Sequence, residues 1–168
     1  MFSENGPVSI DANGKQSDRP TAWNLHGMDV LYVDSPVGAG YSYNDNGTLQ
    51  TSVRGAMESL LVALGTALTS WQPHLQDQNL VLAGESFAGR WIPTLAALMV
   101  RHQRQRNSSA GTTSSAINFK LAGVAIGSGW TSPTEQAQCI PAFAYNAGRC
   151  DLDVVVAGGF AWALRRVR

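Results

Sequence analysis

Surplus charge of either sign, cysteine and long apolar runs are all scarce in this chain, and each scarcity excludes something. Twelve lysines and arginines balance twelve aspartates and glutamates. With no basic field, nucleic acid and an anionic membrane surface are excluded as expected partners. No apolar run approaches the roughly 20 residues that a membrane-spanning helix needs. Cys139 and Cys150 are eleven apart; they could pair in an oxidising compartment or stay free thiols, and two cysteines decide neither. The opening Met-Phe-Ser-Glu-Asn-Gly-Pro shows neither the basic start nor the apolar stretch of a secretory leader. That carries weight only if Met1 is the true start of the protein.

What is present suits one globular core. Of the 168 residues, 44% are hydrophobic and 14% charged, enough apolar material for a single charge-poor domain. Strand-like and helix-like segments alternate. Asp29–Asp34 is a β-branched apolar run ended by Ser35-Pro36 and the glycine-bearing loop 37–40. From an N-cap at Thr51 or Ser52 to Trp71, the residues Val53, Met57, Leu60, Leu61, Leu64, Leu68 and Trp71 repeat at helical spacing, and Pro73 closes the segment. A short apolar strand is expected over 79–83, a helix over 90–104 and a third strand over 120–126. Residues 106–116, rich in Ser, Thr and Gly, read as an exposed, mobile connector. Such alternation implies βαβ crossovers and a parallel sheet. Three strands are few for one, as if this were the middle of a larger sheet.

The chemistry concentrates at Val81-Leu-Ala-Gly-Glu-Ser-Phe-Ala-Gly89. Ser86 sits between Gly84 and Gly89, with Ala88 where many such turns carry glycine, in the manner of a nucleophile elbow. A tight strand-to-helix turn strains the serine backbone, and only small neighbours leave room for it. On the helix that follows, Trp91, Leu95, Leu98, Met99 and His102 share one face. Pro93 falls in the first turn, where proline is tolerated.

These residues carry a resemblance. Gly84-Glu-Ser-Phe-Ala-Gly89, continued by Ile92-Pro93, is similar to the elbow of the serine carboxypeptidases (peptidase family S10, α/β-hydrolase fold), whose corresponding segment has tyrosine where Phe87 stands. Glu4-Asn-Gly-Pro7 resembles the family's opening loop. Leu31-Tyr-Val-Asp-Ser-Pro-Val-Gly38 with Gly40-Tyr-Ser-Tyr43 resembles its next strand and loop, and Leu121–Gly129 resembles the strand after the elbow. Thr131 to Asp151 is similar to the start of the helical insertion that caps the family's active site. The resemblance implies a partial α/β-hydrolase domain over 1–151, followed by an unmatched tail, 152–168.

It also implies a mechanism that needs no cofactor or metal. Ser86 would attack the scissile carbonyl and form an acyl-enzyme, with the Phe87 backbone N–H as one oxyanion donor. Replacing tyrosine by phenylalanine leaves that main-chain donor intact. Glu85, helped by Glu4, would hold the terminal carboxylate of a peptide substrate with a free C-terminus. Two carboxylates in contact share a proton, so peptidase activity strongest at acid pH is expected. Plainer roles stay open beside these. Ser86 could be a turn serine, Glu85 a carboxylate favoured by the dipole of the following helix, and Glu4 a surface charge. Tyr41 and Tyr43 are read as packing residues.

The departures matter equally. The family's other oxyanion segment is expected upstream of Glu4, and its catalytic aspartate and histidine beyond Arg168. Of the three histidines, His26 and His74 precede Ser86, against the order serine, acid, histidine. His102 lies about 24 Å along the following helix and cannot reach. Each reads better as a surface or half-buried histidine. We therefore expect a partial chain, weakly active or inactive alone. An acyltransferase of the same fold and a non-catalytic remnant are the alternatives. Two glycosylation triplets, at Asn46 and Asn107, fit a secretory-pathway protein, vacuolar, lysosomal or extracellular.

Overall fold

The computed structural model describes residues 5–108 and 119–149. They form two compact units that divide between Leu49 and Gln50. The tail 152–168, Glu4, Cys150 and most of the 106–116 connector lie outside the described residues. The described part of that connector, 106–108, is helical and not loop. No helix among the described residues is long and apolar enough to cross a membrane.

The first unit opens with a hairpin. Strand β1 (Val8–Ile10) pairs antiparallel with β2 (Gln16–Asp18), Val8 facing Asp18 and Ile10 facing Gln16. Asp11 closes the turn by accepting the N–H groups of Asn13 and Lys15 on its side chain, both at 2.9 Å, the local bonding that makes aspartate a turn residue. Tyr32 donates its hydroxyl to the Asn5 carbonyl at 2.9 Å. The strand expected over 29–34 does not form. A strand exists only through a ladder partner, and none pairs with this segment among the described residues. Its Leu31 and Val33 stay exposed. Tyr41 and Tyr43 do not pack as expected, being 94% and 80% exposed. They stand on a loop turned by Gly38 and Gly40, both at positive φ.

The second unit holds the core. Helix α1 (Val53–Thr66) begins at Ser52, whose Oγ accepts the Gly55 N–H at 3.0 Å. Its apolar stripe buries Ala56, Met57 and Leu64. The stripe breaks before Trp71, which is 71% exposed. Residues Ala67–Trp71 form a π turn, and the extra residue per turn rotates the tryptophan off the buried face. Strand β3 (Asn79–Glu85) leads into helix α2 (Ala88–Ser108), and β4 (Lys120–Gly127) returns parallel to β3. Glu85 pairs with Gly127 at the carboxyl end, and the register slips once between Leu80 and Val81. Helix α3 (Pro133–Asn146) follows.

Helix α2 starts two residues earlier than the sequence pattern suggests. Pro93 therefore sits inside the helix and not in its first turn, leaving the Gly89 carbonyl without its usual i+4 donor. The buried face of α2 is Ile92, Leu95 and Met99. These pack with Ala56, Met57, Leu64, Leu82 and Phe119 as one cluster. Met57 and Met99 are each 1% exposed, and burying such a side chain contributes about 1.5–3 kcal/mol. On the sheet, Val81 and Val124 remain exposed.

Candidate active site

Three short contacts fix the turn between β3 and α2. The Ser86 N–H donates to the Gly127 carbonyl at 3.0 Å, carrying the β3–β4 ladder one residue past the strand. The Ser86 carbonyl accepts from Gly89 at 3.0 Å, closing the first turn of the helix. It accepts again from the Trp130 N–H at 2.7 Å. Thus held, Ser86 takes φ +56°, the left-handed region that a residue with a Cβ enters at a cost of about 1–2 kcal/mol. The side chain stands exposed at the carboxyl end of β3. Ligands of open α/β sheets bind at this end.

Small residues are required where the sequence has them. A Cβ on Gly89 would lie 2.7 Å from the Trp130 nitrogen and 2.9 Å from the Gly129 carbonyl carbon, both backbone atoms. A Cβ on Gly84 would lie 2.6 Å from the Ala88 Cβ. A side chain at Gly84 would push the helix off β3, and one at Gly89 would push it off the segment after β4.

Around the serine, Glu85 is exposed at the last residue of β3. Phe87 turns its ring onto Trp91, edge to face, with centroids 5.4 Å apart. Its backbone N–H donates to no backbone carbonyl among the described residues. Among the described residues, no histidine hydrogen-bonds Ser86. His74 is exposed in the 3₁₀ turn Pro73–Leu75. His102 is half-buried, its ring 6.1 Å from that of Phe119. No group of three or more His, Cys, Asp or Glu side chains suited to a metal occurs among the described residues. An open groove of about 490 Å³ runs beside the elbow between α1 and α2, lined by Arg54, Arg90, Thr94 and Thr131 among others; Ser86 does not line it.

One residue escaped the sequence reading. Gln136, in the first turns of α3, donates Nε2–H to the Gly129 carbonyl at 2.9 Å and accepts the Ser132 N–H on Oε1 at 3.0 Å. It thereby braces the loop that grips Ser86. The signal available was weak: a serine followed four residues later by glutamine resembles a capping box displaced by one position.

A serine on a strained strand-to-helix turn, against a parallel sheet, defines an α/β-hydrolase core. The fold comparison agrees. The prohormone-processing carboxypeptidase Kex1 of Saccharomyces cerevisiae superposes with a TM-score of 0.76 at 23% identity, covering 90% of this chain and 31% of that one. The family model for serine carboxypeptidases matches residues 1–156, and the chain belongs to that family. Serine carboxypeptidase S10 family member 1 of Dictyostelium discoideum is 33% identical over 154 residues, 92% of this chain and 34% of the relative. The lysosomal protective protein of Mus musculus is 33% identical over 149 residues, 88% of this chain and 28% of the relative. The chain thus spans about a third or less of the length of these curated relatives.

Proposed function

We propose that the protein containing this chain is a serine-type carboxypeptidase, hydrolysing C-terminal residues from peptides through an acyl-enzyme on Ser86. The observation that carries this reading is the left-handed Ser86 at the end of β3, φ +56°, in a chain of the serine carboxypeptidase family. Left-handed backbone at a non-glycine residue persists only where its surroundings enforce it. Here the enforcement comes from Gly127 and Trp130, and it presents the hydroxyl at the sheet edge. The Phe87 N–H supplies one oxyanion donor. Glu85, beside the nucleophile, takes the substrate's free carboxylate. The aspartate and histidine that complete the triad come from elsewhere in the protein. Its compartment is the secretory pathway, vacuolar, lysosomal or extracellular; the mouse relative is named as lysosomal.

The test is hydrolysis of a blocked dipeptide by the full-length protein, beside the same dipeptide as its C-terminal amide. Turnover of the free acid, loss of that turnover in Ser86→Ala, and poor turnover of the amide are expected. Equal use of acid and amide would remove the carboxylate-binding role of Glu85. Faster transfer from a sugar ester to an alcohol than to water would make the protein an acyltransferase.

A further inference from the structure

We infer that Asn46 is a glycan acceptor and that Asn107, the other Asn-x-Ser/Thr triplet, is not; the inference rests on the secretory-pathway reading above. The two triplets are equivalent as sequence. Their backbones are not. Asn46 sits at the tip of a turn closed by the Gly47 N–H donating to the Asn44 carbonyl at 3.3 Å. The Asn44 side chain donates to the Thr48 carbonyl across the same turn. Gly47 holds a positive φ of +66°, a conformation glycine adopts freely, so the chain reverses sharply within the triplet itself. Asn46, Gly47 and Thr48 are all exposed. Neither the Asn46 amide nor the Thr48 hydroxyl has a hydrogen-bond partner among the described residues. Both groups that the modification uses are therefore free and outward.

Asn107 stands in the last turn of α2. Its Oδ1 accepts from Gln103 Nε2 at 3.4 Å, one turn back. The Asn107 amide is thus already held by a partner on its own helix, whereas the Asn46 amide is not.

The modification balances as a simple substitution. Asn46 Nδ2 forms a bond to the anomeric carbon of an oligosaccharide carried on a lipid pyrophosphate. The bond from that carbon to the pyrophosphate oxygen breaks, and the oxygen leaves with the electron pair. The amide gives up one proton.

The experiment translates the chain behind a heterologous secretory leader in the presence of microsomes. Protease protection reports entry, and endoglycosidase-sensitive mobility reports modification. One sensitive step is expected, lost in Asn46→Gln and kept in Asn107→Gln. A protected chain with no sensitive step, or one whose step survives Asn46→Gln, overturns the inference. Expression of the full-length protein under its own leader tests the compartment separately. Failure to enter there counts against the secretory reading and leaves the acceptor assignment to the microsome result.

Discussion

The backbone N–H of Trp130 donates to the Ser86 carbonyl at 2.7 Å, the shortest of the bonds that hold the elbow. The same Trp130 nitrogen lies where a Cβ on Gly89 would come within 2.7 Å. One backbone atom therefore both fixes the nucleophile and forbids a side chain at the start of the helix. The elbow is a three-way junction of β3, α2 and the segment after β4, and its geometry depends on the closeness of all three.

Gly89→Ala tests that closeness. The added methyl meets backbone, which cannot rotate away, so the full-length protein should lose about 1–3 kcal/mol in urea unfolding. Gly123→Ala is the control. It sits in β4 with nothing within 4 Å of its Cβ position and no positive φ, and the change should stabilise by about 0.4–1 kcal/mol. A Gly89→Ala protein as stable as Gly123→Ala would show that Trp130 yields to the methyl.

Gln136 should act on Ser86 from a distance. Gln136→Glu keeps the acceptor for the Ser132 N–H but sets a carboxylate oxygen against the Gly129 carbonyl. Losing a hydrogen bond of this kind costs about 0.5–1.5 kcal/mol. If that cost falls on the loop gripping Ser86, labelling of the full-length protein by a fluorophosphonate should slow by about three- to tenfold. KM for the peptide should change little. A normal labelling rate would confine Gln136 to the capping of α3.

The elbow was legible in the sequence because its constraints are steric and local. Gly84, Ser86 and Gly89 carry the tight turn in their side-chain sizes, and the apolar runs on either side give strand and helix. The 29–34 segment misled because a β-branched apolar run reports a tendency to pair, whereas the ladder itself depends on a partner distant in sequence. Trp71 misled for a different reason: a helical wheel assumes a constant turn, and one π turn breaks it. Gln136 was invisible because its role lies in a contact across a loop, with no periodicity to betray it.

Core packing offers a check independent of activity. Met57 and Met99 are each 1% exposed and share one cluster, so Met57→Ala should destabilise by about 2–5 kcal/mol. Val62 lies on the same helix but is 70% exposed, and Val62→Ala should stay within about 0.5 kcal/mol. Ser52→Ala removes the cap of α1 and should cost about 1 kcal/mol. Thermal or urea denaturation of the three variants gives the order directly. A Met57→Ala protein as stable as Val62→Ala would mean that α1 does not pack on α2 as described.

The last prediction separates the strain at Ser86 from its chemistry. Left-handed backbone costs a residue with a Cβ about 1–2 kcal/mol, and glycine is free of that cost. Ser86→Gly and Ser86→Ala both remove the nucleophilic oxygen, so both should abolish fluorophosphonate labelling and peptide hydrolysis by the full-length protein. They should differ in stability. Alanine keeps its Cβ at φ +56° and inherits the strain, whereas glycine releases it. Allowing for the greater freedom of glycine in the unfolded chain, the Ser86→Gly protein should be more stable than Ser86→Ala by about 1 kcal/mol or slightly less. Two inactive proteins of equal stability would mean that the turn relaxes once the hydroxyl is gone. The left-handed geometry would then belong to the serine side chain and not to the grip of Gly127 and Trp130.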